Sequence, residues 1–252
     1  MHIPREESPT QIQLNGLARG ASQRQKCPER TYSINGEGLC NRIPDGFEGV
    51  DASGYYTKEG ATQIHMCYTG SYIKDGLGGC IDIPAGYQDV RASLQNPLPM
   101  GTIEIKICPD GTYSLNGTGP CLDVPAGYYG VNATGNYMSS GATHKKICPE
   151  GTYSIQGTGS CVDISGGYEG VDSSNVYINK GAVNVQICPD GKYNVNGNGP
   201  CIDIPDGYEG VDISGPARVG ATGITICPDG KYNNNGTGPC LMVMDGHQAT
   251  DA

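Results

Sequence analysis

The chain has 252 residues and a formal net charge of −10, with 26 acidic residues against 16 basic ones. Proteins that bind nucleic acid present clustered basic residues, so this balance argues against a nucleic-acid partner. Leu, Ile, Val and Phe supply only 44 residues and Trp none, whereas there are 12 Cys. Such a chain cannot bury a large apolar core, so we expect disulfides, and therefore an oxidising compartment, to supply its order. No apolar run reaches the length of a membrane span, and none is predicted.

One cysteine-flanked stretch recurs six times, and in every copy the second cysteine follows the first by thirteen positions. The copies start 39 to 41 residues apart, a period that predicts a tandem-repeat array. The opening cysteines are Cys27, Cys67, Cys108, Cys148, Cys188 and Cys227, and the closing ones are Cys40, Cys80, Cys121, Cys161, Cys201 and Cys240. We therefore divide the chain into a partial N-terminal half-repeat, 1–26, and repeats at 27–66, 67–107, 108–147, 148–187, 188–226 and 227–252, the last truncated.

In chain order, each repeat opens with a short hairpin. Thr31 to Ile34 is predicted to pair back on Cys40 to Ile43, and likewise in each later copy, with Asn-Gly or Asp-Gly dipeptides as hairpin turns. Pro-x-Gly recurs after most of the cysteines, and we expect the proline at the second turn position. The alternating runs Ile103–Ile107 and Val183–Ile187 predict half-buried strands later in their repeats. With no helical period, the predicted fold is all-β: an elongated, disulfide-stapled rod of short hairpins.

Repetition leaves two regular disulfide schemes. In one, each opening cysteine pairs with its own closing cysteine; in the other, cysteines pair across repeats and Cys27 and Cys240 are left over. We favour the first, because it uses every thiol at constant spacing. Zinc is the rival use of the cysteines. It is disfavoured because no two cysteines are two to four residues apart and the histidines do not recur in register.

Aromatic residues recur in two columns, one five residues after the opening cysteine and one seven after the closing cysteine. The first column is Tyr32, Tyr72, Tyr113, Tyr153, Tyr193 and Tyr232, and the second is Phe47, Tyr87, Tyr128, Tyr168, Tyr208 and His247. We expect these side chains to form the small core of each half-repeat. The alternative is an exposed aromatic ladder that binds a sugar or a partner chain.

No catalytic constellation, cofactor motif or metal-ligand cluster is visible, so we do not expect an enzyme. The aspartates of the Pro-Asp-Gly turns, such as Asp110 and Asp190, are expected to bond their own backbone, with calcium binding as the alternative. Three Asn-x-Thr sequences, at Asn116, Asn132 and Asn235, are candidate glycosylation sites. The other reading of these asparagines is that they serve only the turn.

The motif Cys-Pro-x-Gly-Thr-Tyr-Ser at Cys108 and Cys148, followed by Pro125-Ala-Gly-Tyr-Tyr-Gly, resembles the ephrin-receptor-like cysteine-rich repeat. That repeat is related in style to tumour-necrosis-factor-receptor modules. The resemblance covers nearly the whole chain and implies an elongated extracellular rod. The chain differs in one respect: the family usually has a further cysteine just before the second Pro-x-Gly, where this sequence has Ile or Val, as at Val124.

The sequence therefore predicts a structural subunit of an extracellular filament or surface appendage that assembles with itself, head to tail, through open repeat ends. The alternative is an adhesin stalk or receptor-like ectodomain that binds a protein or glycan partner. Either function places the chain at the cell surface or outside the cell.

Overall fold

The computed structural model describes residues 23–36, 38–73, 77–90 and 104–250. In these ranges the chain contains 23 short strands and no helix, and about 34% of it is strand. The predictions for residues 1–22, for the Asp75-Gly76 turn and for Ile103 lie outside the described residues. The all-β, disulfide-stapled repeat predicted from the sequence is confirmed.

We number the repeats as units 1 to 6, each beginning at its opening cysteine. The first hairpin of a unit lies around its disulfide and has two-residue strands in antiparallel register, as in Tyr113 opposite Leu122. These strands are β1 (Thr31–Tyr32) and β2 (Asn41–Arg42), β5 (Ser71–Tyr72) and β6 (Ile81–Asp82), β9 (Thr112–Tyr113) and β10 (Leu122–Asp123), β13 (Thr152–Tyr153) and β14 (Val162–Asp163), β17 (Lys192–Tyr193) and β18 (Ile202–Asp203), and β22 (Lys231–Tyr232) and β23 (Leu241–Met242).

The second hairpin of a unit is longer and ends at the next opening cysteine. These strands are β3 (Phe47–Val50) and β4 (Gln63–Met66), β7 (Tyr87–Asp89) and β8 (Ile105–Ile107), β11 (Tyr128–Val131) and β12 (His144–Ile147), β15 (Tyr168–Val171) and β16 (Asn184–Ile187), and β19 (Tyr208–Asp212) and β21 (Gly223–Ile226). In unit 5 the extra strand β20 (Gly215–Pro216) pairs with β19 and makes a three-stranded sheet.

Six disulfides join each opening cysteine to its own closing cysteine, with Cα–Cα separations of 5.5 to 5.7 Å. This is the pairing that the constant spacing of thirteen predicts, and no described cysteine is free. The bridges are Cys27–Cys40, Cys67–Cys80, Cys108–Cys121, Cys148–Cys161, Cys188–Cys201 and Cys227–Cys240.

The core is a small cluster repeated in each unit rather than one shared interior. In unit 3 it contains Cys108, Val124, Val131 and Ala142, each at most 3% exposed. Because these side chains are small, the backbone can pack closely around them, and the covalent loop supplements what little apolar area they bury.

Two turn predictions are corrected by the structure. The Asn-Gly dipeptides are not two-residue hairpin turns: an eight-residue loop separates Tyr113 from Leu122, and Asn116 is not among the described residues with positive φ. A type I′ turn needs positive φ at both central residues, whereas here only Gly117 has it, at +70°. In the Pro-x-Gly turn the proline lies first, not second, because the Thr112 N–H donates to the Pro109 carbonyl at 3.1 Å.

Candidate functional site: repeat contacts and an exposed apolar face

One polar side chain, six residues after the opening cysteine, holds the loop inside the disulfide. In unit 3 the Ser114 hydroxyl accepts a hydrogen bond from the Gly117 N–H at 3.1 Å. In unit 5 the Asn194 amide oxygen accepts from the Gly197 N–H at 2.9 Å, and its Nδ2 donates to the Gly199 carbonyl at 3.0 Å. Sequence reasoning missed this position, although the recurrence of Ser or Asn was a usable signal: Ser33, Ser114, Ser154, Asn194 and Asn233.

Within a unit, backbone hydrogen bonds join the first hairpin to the end of the second. In unit 3 the Gly141 N–H donates to the Cys108 carbonyl at 2.7 Å, and the Ser114 N–H donates to the Ala142 carbonyl at 3.0 Å. Tyr113 and Ala142 form a parallel bridge between these two bonds. The two halves of a repeat are therefore one structural body held by main-chain pairing.

Between units, a second set of main-chain contacts recurs with the same geometry. The Gly127 N–H of unit 3 donates to the Ser154 carbonyl of unit 4 at 2.7 Å. Gly127 has φ +78°, and a Cβ there would lie 2.3 Å from the Gly181 carbonyl oxygen, so only glycine fits. The same N–H to carbonyl bond occurs at four junctions: Gly86 to Ser114, Gly127 to Ser154, Gly167 to Asn194 and Gly207 to Asn233.

A side-chain oxygen of one unit also accepts a hydrogen bond from the backbone N–H of the closing cysteine in the next unit. The Glu169 carboxylate accepts the Cys201 N–H at 2.8 Å, and the amide oxygen of Gln88 accepts the Cys121 N–H at 2.7 Å. Glu48 and Glu209 make the same bond to Cys80 and Cys240. Unit 3 differs, because Tyr129 occupies this position and no side chain in the described part of the chain accepts the Cys161 N–H.

The aspartates of two Pro-Asp-Gly turns bond the next unit as well as their own surroundings. Asp110 accepts the N–H of Gly111 at 2.9 Å, as expected for a turn aspartate, and also the N–H of Gly159 in unit 4 at 3.0 Å. Asp190 accepts the Gly238 N–H at 2.8 Å and ion-pairs with Arg218 at 3.2 Å. These carboxylates thus link neighbouring units, which the sequence did not reveal.

Each junction also buries one aliphatic side chain, three residues after the closing cysteine. Val124, Ile164 and Ile204 are 2 to 5% exposed, because a glycine of the following unit lies directly over each. The covering glycines are Gly157, Gly197 and Gly236. In unit 6 the equivalent Val243 is only half-buried, and its neighbours Met242 and Met244 are more than 70% exposed.

Two tyrosines near the junctions have perturbed ionisation. Burial raises the pKa of Tyr177, and the carboxylates of Glu150 and Glu169 raise it further. Burial likewise raises the pKa of Tyr137. The Asp110 carboxylate, which lies 3.4 Å from the phenol oxygen, raises this pKa further. In both cases the neutral phenol is favoured because the anion would lie in a partly desolvated, negatively charged environment.

The aromatic columns are not the core, and this prediction was wrong. Nine of the twelve column members are half-buried, and the other three, Tyr168, Tyr232 and His247, are exposed. The core positions are taken by cystine, Val, Ile and Ala, because the tight backbone stacking leaves no room for a ring. In unit 4 the rings share a groove with aliphatic side chains: Tyr153, Ile155 and Val162 line it together.

The three candidate glycosylation sites share one local geometry. The amide oxygen of each asparagine accepts a hydrogen bond from the hydroxyl of the threonine two residues later, at 2.5 to 2.7 Å. Asn116 and Asn235 are exposed, whereas Asn132 is half-buried and also accepts the Asn136 N–H. At all three sites the amide oxygen is used by hydrogen bonds within the turn. Glycosylation of the side-chain nitrogen Nδ2 stays a prediction.

The described histidines, His65, His144 and His247, are exposed and occupy different repeat positions. In the ranges that the structure describes, no group of three or more His, Cys, Asp or Glu side chains is arranged to hold a metal ion. A search of the same ranges finds no helix with the length and hydropathy needed to cross a membrane.

Comparison with known proteins gives no relative from which a role could be transferred. No family model matches the chain, and no curated protein matches it. The resemblance to ephrin-receptor-like repeats is therefore supported only at the level of architecture: both are cysteine-rich, disulfide-stapled repeats.

Proposed function

We propose that this chain is a structural subunit of an extracellular filament or surface appendage, assembling head to tail. The observation that carries the proposal is the junction between units, which is built from one set of contacts used repeatedly. Units 2 to 5 each offer a glycine N–H and an aliphatic side chain at one end, and units 3 to 6 each offer a carbonyl and a covering glycine at the other. A module with complementary ends adds further modules without a new interface, and such heterologous contacts propagate rather than close.

In unit 6 the described residues leave uncovered the counterpart of the surface through which units 2 to 5 bind their successors. Val243 is half-buried, whereas Val124, Ile164 and Ile204 are covered. A first hairpin supplied by another copy of the chain would cover Val243 and would accept the N–H of Gly246, the counterpart of Gly127. Since Val243 is already half-buried, covering it would contribute less than the roughly 1.5–3 kcal/mol of fully burying an exposed aliphatic side chain.

The disulfides support the extracellular location in this proposal. Six bridges with short loops persist in oxidising compartments and are rare where glutathione keeps thiols reduced. Glycans at Asn116, Asn132 and Asn235 would accompany this location if the source glycosylates its secreted proteins.

The test is the size of the purified chain as its concentration rises, followed by negative-stain imaging and sedimentation velocity. We expect the wild type to elongate into filaments of uniform width. Val243→Glu should abolish elongation, because it puts a charge on the end surface, whereas Val176→Glu, at a position that is 60% exposed in a loop, should leave it intact.

A chain that stays monomeric at high concentration would overturn the filament role. If that monomer also binds a glycan or a cell surface, the stalk or receptor-like ectodomain is the better function. Both variants elongating equally would show that assembly does not use the repeat junction.

A further inference from the structure

The two hairpins of unit 3 turn their aromatic side chains to the same face. In unit 3 the Lys145 Nζ lies 5.9 Å from the ring centre of Tyr113 and 5.4 Å from that of Tyr128. Tyr113 belongs to the first hairpin and Tyr128 to the second, so one lysine bridges the two. The rings are therefore neighbours on one surface.

Aliphatic side chains extend this surface on both hairpins. Leu122 lies directly opposite Tyr113, and Ile147 lies directly opposite Tyr128. Residues opposite each other in an antiparallel pair project from the same face of the sheet. Leu122 is 51% exposed and Ile147 is 40% exposed, so neither is covered by the unit itself.

The same four positions are apolar in the next two units. Unit 4 has Tyr153, Val162, Tyr168 and Ile187, and unit 5 has Tyr193, Ile202, Tyr208 and Ile226. We call these eight side chains and the four of unit 3 the apolar face. It contains no acidic residue, although the chain carries 26 of them and a net charge of −10.

The acidic residues of the same strands lie on the opposite side. Asp123, Asp163 and Asp203 follow Leu122, Val162 and Ile202 directly, and successive strand residues alternate between faces. The strands are thus amphipathic. Exposed apolar area that recurs along a protein and is free of carboxylates marks an interaction surface rather than scattered surface residues.

We propose that the apolar face is the contact surface of a side-by-side pair formed by two copies of this chain. The argument for a second copy is the period. A partner that contacts the equivalent side chains in units 3, 4 and 5 must present its own contacts at the same spacing, and a second copy does so by construction. The twelve side chains of the face are apolar or aromatic, although in unit 3 Lys145 lies over two of its rings. Such a surface can pack against its own copy, as a two-fold interface requires.

A sugar or an unrelated globular protein fits the face less well. Sugar sites pair aromatic rings with several polar groups, and these twelve positions hold only the tyrosine hydroxyls. A second copy of the chain, by contrast, supplies apolar side chains at the same repeat positions.

The side-by-side pairing does not use the surface around Val243. It rests on the proposed function only for the idea that the pair is part of a filament. Its test is sedimentation equilibrium of the full chain carrying Val243→Glu, so that end-to-end growth is blocked. We expect reversible association to twice the 26.4 kDa of the chain. Leu122→Lys with Val162→Lys should raise the dissociation constant by about tenfold or more, since it puts two lysines against an apolar surface.

The matched control is Asp123→Lys with Asp163→Lys, which introduces the same side chains one residue along the same strands but on the opposite side. We expect this control to pair as tightly as the parent. Lys145→Ile, which gives unit 3 a side chain like Ile105 or Ile224 at the equivalent position, should lower the dissociation constant. Circular dichroism should show that all variants are folded.

A parent chain that stays monomeric overturns the proposal, as does equal weakening by the two lysine pairs. Monomers that instead bind a carbohydrate array or a foreign protein through this face would also overturn it. If pairs form while the chain without Val243→Glu does not elongate, the head-to-tail function fails and the side-by-side pairing stands.

Discussion

The Glu169 carboxylate accepts the backbone N–H of Cys201 at 2.8 Å, although the two residues are 32 positions apart and belong to different units. Cys201 is buried and disulfide-bonded to Cys188, so this bond links the junction to the cross-link. It satisfies a main-chain donor of a buried residue, which makes its loss costly.

Replacing Glu169 by alanine should therefore lower the free energy of unfolding by about 1–3 kcal/mol, because a buried N–H is left without an acceptor. Glu169→Gln should cost much less, since Gln88 fills the same role toward Cys121. Urea denaturation of the oxidised chain measures both. Equal losses for the two variants would show that the charge, rather than the acceptor, matters.

The junction between units 3 and 4 offers the reverse experiment. Tyr129 stands where the other described junctions have Glu or Gln, so Tyr129→Glu would supply the Cys161 N–H with an acceptor. We expect the free energy of unfolding to rise by about 1 kcal/mol, the usual net worth of a hydrogen bond. The amide of Cys161 should also exchange its hydrogen more slowly by NMR. Unchanged exchange would contradict the role given to this position.

Gly127 and Gly119 form a matched pair for testing close packing between units. Both have positive φ, at +78° and +85°, so an alanine costs about 1–2 kcal/mol of backbone strain at either position. Only at Gly127 would the new methyl group meet a backbone, 2.3 Å from the Gly181 carbonyl oxygen, whereas described atoms leave the space at Gly119 open. In urea denaturation, the loss in free energy of unfolding should be about 1–3 kcal/mol larger for Gly127→Ala than for Gly119→Ala, which is the usual cost of overpacking. Similar losses would show that the junction can widen at little cost.

Removing one disulfide should destabilise the chain measurably. Cys148→Ala with Cys161→Ala opens a loop whose ends are 13 residues apart. The chain-entropy model assigns a loop of this length about 3 kcal/mol. Denaturant unfolding measures the loss in free energy of unfolding. The equivalent change at Cys188 and Cys201 serves for comparison. Stability unchanged by both double variants would mean that the junctions alone hold the fold.

Alkaline pH should weaken the fold through the junction tyrosines. The pKa of Tyr177 is raised above its ordinary value of 10.0 by burial and by Glu150 and Glu169. The unfolded chain then ionises before the folded one, so stability falls as the pH rises from the unfolded pKa through the folded pKa. In Tyr177→Phe this loss should be smaller, whereas Tyr55→Phe, which removes the hydroxyl of an exposed ring, should behave like the wild type. Thermal melts across this pH range measure the loss of stability in each protein. A larger loss in Tyr177→Phe than in the wild type would contradict the prediction.

The sequence alone determined the repeat, the disulfide pairing and the absence of a large core. Cysteines at constant spacing fix which thiols lie close along the chain, and Thr31 pairs with Arg42 within the hairpin predicted from the sequence. These are local relationships, set by chain length and by the turn residues between the partners.

Only the tertiary structure decided what joins one unit to the next, and which side chains are left outside. The Glu169 bond to Cys201 and the approach of Gly127 to Gly181 connect residues 32 and 54 positions apart, and no local preference specifies them. The aromatic columns were misassigned for the same reason. Their periodicity is equally compatible with a core and with a surface, and the tight stacking of glycine-containing turns excludes the rings from the interior.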